Sequence, residues 1–157
     1  MIGCGVVGQS FARILIRREA ELVKNYGFHP RVVAMVDRGG AAVNPKELDL
    51  EKMLSVKVEK GTVAANREYG RLAMSALDVI ESVEAEAMVE ATPTNIKDGE
   101  PGLSHIKTAF KTGKHVVTTN KGQKLWFSSK GCGYGRQRRS RRKPERTRPR
   151  ENVIRES

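Results

Sequence analysis

Apolar residues near the start of the chain recur at helical spacing, with charged residues between them. This pattern predicts an amphipathic helix from about Gly5 to Asn25. Gly27 and Pro30 follow it, in the positions where a glycine and then a proline commonly end a helix. The chain is therefore expected to open on a glycine turn and a long helix with one buried face.

Short, mostly apolar runs at 31–36, 87–91 and 114–119 predict strands, and the first of them has the character of a buried strand. Capping residues and helical spacing predict further helices at 44–54, 75–83 and 104–111, whereas 38–40 and most of 55–72 are predicted to be irregular. Alternating strands and helices are typical of an α/β fold with a parallel sheet. We expect the three strands to be parallel and adjacent in that sheet.

The strand that normally leads into such a glycine turn is truncated here, because only Met1 and Ile2 precede the first glycine. In folds of this kind that strand lies in the middle of the sheet. We therefore expect the sheet to lose its central strand and the glycine turn to lose its anchor.

The composition changes sharply after Gly122. Residues 1–122 have a net charge of +2, whereas residues 123–157 carry 12 basic and 3 acidic side chains, a net charge of +9. From 136 to 150 no apolar side chain occurs, which predicts a disordered basic tail. Such an abrupt switch is what out-of-frame sequence would give. The alternative, a segment that binds nucleic acid through its cations, is disfavoured because aromatic residues do not alternate with the arginines.

Several classes of protein are excluded by what the sequence lacks. No apolar run approaches the length that spans a bilayer, and the N-terminus does not have the pattern of a secretory signal. Two cysteines, Cys4 and Cys132, are too few for a disulfide framework or a four-ligand zinc site. We expect a soluble, reduced, cytoplasmic protein without a metal centre.

The segment Gly3–Gly8 has the spacing Gly-x-Gly-x-x-Gly and opens the first predicted helix. In this motif the glycines permit a tight turn, close approach of a pyrophosphate and close helix packing, and the helix N-terminus favours the anion. Asp37 ends the second predicted strand, where a carboxylate would bond an adenosine ribose hydroxyl, and the adjacent Arg38 would instead pair with a 2′-phosphate. NAD and NADP both stay open, as does a plain glycine turn that only caps a helix.

Four motifs in order resemble the homoserine dehydrogenase family: GCGVVGQ at the start, VDRGG after the second strand, VEATPTNI at 89–96 and VTTNKG at 117–122. The resemblance covers residues 2–122. It implies a Rossmann-like NAD(P)-binding domain at 1–122. It also implies an enzyme that interconverts aspartate semialdehyde and homoserine in threonine and methionine biosynthesis.

The resemblance also implies roles for individual residues. Lys121 would lie between cofactor and substrate, hold the cofactor and polarise the carbonyl that accepts hydride. Two further groups would contact the cofactor: Gly3, Gly5, Val6, Val7 and Gly8 at the pyrophosphate, and Thr92, Pro93 and Thr94 beside the nicotinamide ribose.

The likeness ends at Gly122. The family continues with a region that holds the substrate and forms a homodimer, and residues 123–157 do not match it. We therefore expect a truncated and inactive fragment that retains weak cofactor binding. The remaining alternatives are a nucleotide-binding regulatory fragment and a nucleic-acid-binding protein.

Overall fold

The computed structural model of the chain describes residues 1–93, 95 and 97–119. Thr94, Lys121 and the basic tail lie outside the described residues, so the predictions made for them stay predictions. No helix within the described part is both long and apolar enough to cross a membrane. Its elements, in chain order, are α1 Val6–Tyr26, β1 Ala34–Asp37, β2 Gly40–Val43, α2 Leu50–Lys60, a 3₁₀ turn Val63–Ala65, β3 Gly70–Arg71, α3 Ala76–Ser82, β4 Ala87–Glu90, α4 Gly102–Lys111 and β5 His115–Thr118.

The predicted helices α1 and α3 are confirmed, together with the residues predicted to end α1 and to cap α3. Helix α1 ends before Gly27, whose backbone is left-handed at φ 61°. Helix α3 begins after Ser75, and the side chains of Ser75 and Asp78 cap each other's backbone N–H groups. Strand β4 and helix α4 also lie within a few residues of their predicted bounds.

The helix predicted to begin at Asn44 begins six residues later, at Leu50. The Asn44 side chain closes a local turn instead, because it accepts from Lys46 N at 3.1 Å and donates to the carbonyl of Glu47. The working cap is Asp49, whose Oδ1 accepts from Lys52 N at 3.0 Å. The helix then extends to Lys60, into a stretch predicted to be irregular.

Strand β2 was not predicted. It pairs antiparallel with β1 in a tight hairpin whose register sets Asp37 opposite Gly40, and β3 adds to its other edge. The sequence of β2, Gly-Ala-Ala-Val, has little of the β-branched or aromatic character that marks a strand. Its small side chains are buried nonetheless.

The expectation that the sheet lacks its central strand is wrong. Ile2 forms parallel bridges to Val36 of β1 and to Glu90 of β4. Its N–H donates to Val89 O at 2.8 Å, and its carbonyl accepts from Ala91 N at 2.8 Å. On the other side, Gly3 N donates to Val36 O at 2.9 Å. The segment 1–3 therefore takes the place of a central strand between β1 and β4, and it anchors the glycine turn.

The three predicted strands are consequently only partly adjacent. Strands β4 and β5 pair in parallel, which confirms the prediction for them, whereas β1 lies next to Ile2 rather than next to β4. Alternate side chains enter two cores on opposite faces of the sheet. Met35 packs with α2, while Ala34 and Val36 pack with α3 and α4. The described residues thus form an α/β fold with helices on both faces.

Candidate functional site

The first glycine of the motif lies against the end of β4. Gly3 has φ 94°, and a Cβ there would lie 2.6 Å from the carbonyl carbon and oxygen of Ala91 and 2.8 Å from Thr92 N. A Cβ on Gly8 would overlap the carbonyl oxygen of Gly3. Two of the three motif glycines are therefore required for close packing, which is the packing role expected of such a motif.

The middle glycine faces open space. Gly5 is the residue that precedes α1, and a Cβ on it would meet no atom of the described residues within 4 Å. No side chain caps the helix there, and its first turn contains no acidic residue. Val6 follows it and is 84% exposed. Among the described residues, no side chain bonds the N–H groups at the start of this 21-residue helix, and such a helix end suits an anion.

The residues after β4 lie beside this turn. Ala91 N is tied to Ile2 O, and Thr92 N lies next to Gly3. Thr92 is half-buried and Pro93 is exposed. The fold therefore brings the glycine turn and the Thr92–Pro93 segment to one edge of the sheet, at the carboxyl ends of parallel strands where open α/β sheets bind ligands.

Asp37 is placed at the same sheet edge, but its carboxylate is turned inward. It accepts from Lys57 Nζ at 2.8 Å, Thr62 Oγ1 at 2.7 Å, Val63 N at 2.9 Å and Gly39 N at 2.8 Å. Its side chain is only 5% exposed. A carboxylate offers about four acceptor positions, and four internal donors occupy them.

The ionised state of Asp37 is favoured by these donors. Burial raises the pKa of its carboxyl, but the bonds from Lys57, Val63, Thr62 and Gly39 together outweigh burial and hold the pKa below its usual value. The neighbouring Arg38, by contrast, is exposed in the turn of the β1–β2 hairpin. Of the two residues predicted at the adenosine ribose, Arg38 is the one whose side chain is exposed to solvent.

A cavity of about 450 Å³ lies elsewhere, between α1 and the start of α2. Its described lining includes four carboxylates, those of Glu19, Glu47, Asp49 and Glu51, and no lysine or arginine. A pyrophosphate would be repelled there, because like charges disfavour each other at close range. The concavity is therefore a poor candidate for a dinucleotide, and the glycine turn is a better one.

The sequence of the chain is similar to those of two homoserine dehydrogenases. No protein-family model matches the chain. Over 122 residues it is 43% identical to the homoserine dehydrogenase of Methanocaldococcus jannaschii, a match that covers 78% of this chain and 36% of that protein. Over 125 residues it is 34% identical to the NAD(+)-dependent homoserine dehydrogenase of Pseudomonas canavaninivorans, covering 78% and 35%. The chain contains a partial homoserine dehydrogenase segment.

Solved structures agree on the fold of this homoserine dehydrogenase segment. A hyperthermophilic archaeal homoserine dehydrogenase in complex with NADPH superposes with a TM-score of 0.67 at 23% identity, covering 81% of this chain and 36% of that one. A mutant of a hyperthermophilic archaeal homoserine dehydrogenase, also with NADPH, gives 0.63, covering 77% and 34%. The α/β fold is therefore Rossmann-like, as the sequence predicted. The chain spans about a third of the length of these relatives.

Sequence reasoning missed the buried partners of the site. Lys57 and Thr62 lie 20 and 25 residues from Asp37, and no local pattern links them to it. Glu90 was taken only as part of a strand, yet its side chain is fully buried beneath Thr92. The one available signal was the position of an acidic residue at the end of an otherwise apolar run, directly before Thr92.

The inward bonds of Asp37 predict a cost in stability when its charge is removed. In Asp37→Asn the amide nitrogen would face donors, and Lys57 would lose its anionic partner. Breaking a buried pair in this way should lower the free energy of unfolding by about 2–4 kcal/mol. Urea unfolding at pH 7 measures the loss. Glu59→Gln, which changes an exposed carboxylate on the helix that carries Lys57, is the control and should alter stability by less than about 0.5 kcal/mol.

The loss of stability in Asp37→Asn should depend on pH. Because the folded pKa of Asp37 lies below the unfolded value, the unfolded chain binds the extra proton first as the pH falls. The stabilisation by Asp37 is thus complete above the ordinary carboxyl pKa and is lost as the pH falls through the folded value. The difference between wild type and Asp37→Asn should shrink in acid, and a difference that stays constant would contradict the role given to this carboxylate.

Proposed function

We propose that residues 1–122 bind NAD or NADP as the nucleotide-binding domain of a homoserine dehydrogenase, with 123–157 as a separate tail. The observation that carries the proposal is the uncapped start of α1, where a Cβ on Gly5 would meet no described atom, together with the contact of the same glycine turn, at Gly3, with Thr92. Backbone N–H groups of Gly5, Val6, Val7 and Gly8 would hold the pyrophosphate. One similar solved structure is a complex with NADPH and one relative is NAD(+)-dependent, which supports this class of ligand.

For the whole protein we propose the homoserine dehydrogenase reaction, the interconversion of homoserine and aspartate semialdehyde. The bound cofactor would supply the hydride acceptor or donor. In this proposal the glycine turn fixes the pyrophosphate, Thr92, Pro93 and Thr94 flank the nicotinamide ribose, and Lys121 polarises the substrate carbonyl. The chain spans about a third of the length of its relatives, so the reaction is proposed for the whole protein, and the residues named here would supply the cofactor site and Lys121.

Gly5→Val tests the pyrophosphate site directly. The backbone of Gly5 is extended, at φ −82°, and a Cβ meets nothing there, so the fold should be retained. The added side chain would fill the space in which the phosphates would lie. We expect the dissociation constant for NADPH or NADH to rise at least about tenfold, as in the loss of one charge-assisted hydrogen bond or more.

The matched control is Ser10→Val, which adds the same side chain to an exposed position of the same helix. It should leave cofactor affinity within about twofold of wild type, and thermal unfolding should show both variants folded. Unchanged affinity in Gly5→Val would mean that the glycine segment is only a turn, and the proposed function would fail.

The environment of Asp37 favours NADP over NAD. A ribose 2′-hydroxyl would have to displace one of four internal donors to reach that carboxylate, since all its acceptor positions are occupied. The exposed guanidinium of Arg38 has no such competitor, and guanidinium groups bind phosphate through paired hydrogen bonds. We therefore propose that a 2′-phosphate is read by Arg38.

Arg38→Ala should weaken binding of NADPH by about tenfold and leave binding of NADH within about twofold, because only the former carries the phosphate. Calorimetric titration with each cofactor measures the two constants. Arg17→Ala, an exposed arginine of α1, is the control and should change neither. An equal loss for both cofactors would contradict a specific role in phosphate recognition.

A further inference from the structure

A carboxylate with no exposed surface lies beneath the proposed nicotinamide site. Glu90 ends β4, and its exposed fraction is 0%. Burying an ionised carboxylate is costly unless hydrogen bonds compensate for the lost water. Glu90 occupies a position that an apolar residue would fill at no such cost, so its bonds need an explanation.

Those bonds converge from two strand ends. Glu90 Oε1 accepts from Thr92 N at 3.0 Å and also from the Thr92 hydroxyl, while Oε2 accepts from Thr118 Oγ1 at 3.2 Å. The backbone carbonyl of Glu90 accepts from Thr119 N at 3.1 Å. Glu90 therefore joins the segment after β4 to the end of β5.

The bond from the Thr92 hydroxyl has a chemical consequence. Glu90 Oε1 accepts the hydrogen bond from the Thr92 hydroxyl, and a threonine hydroxyl has a single proton. With that proton committed to Glu90, the Thr92 oxygen has only lone pairs for other partners. Thr92 can thus accept a hydrogen bond from a ligand but cannot donate one.

A histidine closes the buried side of this arrangement. His105 of α4 is buried, and its Nδ1 lies 3.8 Å from Glu90 Oε1, which is longer than a hydrogen bond. Within the described part of the chain that nitrogen has no hydrogen-bond partner. The carboxylate is therefore held by the threonines of the strand ends rather than by this imidazole.

We propose that Glu90 is a positioning residue that fixes the Thr92 hydroxyl as an acceptor for the nicotinamide half of the cofactor. The inference rests on the proposed function, because it needs a dinucleotide at this sheet edge. The nicotinamide riboside half carries suitable donors in its ribose hydroxyls and its carboxamide N–H groups. In this proposal the adenosine half of the cofactor contacts Arg38 and the glycine turn, and it does not contact Thr92.

The test compares two ligands on the full 157-residue chain: NADPH, and 2′-phospho-ADP, a fragment that retains the 2′-phosphate and the diphosphate but lacks the nicotinamide riboside. Glu90→Met is similar in size but has no oxygen to accept from Thr92. We expect it to raise the dissociation constant of NADPH about fivefold to tenfold, the effect of one misplaced hydrogen bond, and to leave that of the fragment within about twofold. Glu90→Gln retains one acceptor oxygen for Thr92 and should stay within about twofold of wild type for both.

Two further variants keep the result interpretable. Glu86→Gln, an exposed carboxylate just before β4, is the matched control and should change neither constant. Thr92→Val removes the hydroxyl while Glu90 remains, and it should reproduce the selective loss of NADPH affinity. The measurement on Thr92→Val tests the proposal even if Glu90→Met fails to fold.

Three results would overturn the proposal. One is an equal loss for both ligands in Glu90→Met or in Thr92→Val, which would indicate a general structural role. Another is unchanged NADPH affinity in Thr92→Val. The third is a wild-type chain that binds NADPH no more tightly than the fragment, which would leave the proposed function standing. A wild-type chain that binds neither ligand would refute the proposed function itself.

Discussion

The hydrogen bonds around Ile2 are the constraint on which the rest of the fold depends. They join β1 on one side to β4 on the other through a segment only three residues long. Because the chain must leave that segment and enter α1 at once, Gly3 and Gly8 approach other backbone atoms more closely than any side chain would permit. The uncapped N-terminus of α1 is thereby set at the carboxyl edge of the sheet, next to Thr92.

The two carboxylates at strand ends give this edge its chemical character. Asp37 and Glu90 both face inward, where N–H, hydroxyl and ammonium groups satisfy them. In the proposed site, the described groups offered to a ligand are backbone N–H groups, a threonine oxygen and the exposed Arg38. Such a surface suits an anionic dinucleotide better than exposed carboxylates would, because it adds no negative charge beside the phosphates.

Local signals in the sequence predicted α1, α3, β4 and β5, because caps, glycines and short apolar runs act over a few residues. The predicted start of α2 was wrong because the Asn44 side chain closes a turn instead of capping the helix. Asp49 is the residue that caps α2. Prediction also failed at β2, whose small residues lack strand character. The glycine turn and the position of Asp37 at a strand end follow from the sequence, but the inward bonding of Asp37 was not predicted, since Lys57 and Thr62 are distant in sequence.

The central claim is that the glycine turn and the end of β4 bind a dinucleotide. Titration of the isotopically labelled chain with NADPH, followed by the chemical shifts of its backbone amides, tests this most directly. We expect the largest shift changes at Cys4–Gly8 and smaller ones at Ala91 and Thr92, all saturating together as one site. Changes confined to the acidic cavity near Glu47–Glu51, or none at saturating cofactor, would contradict it.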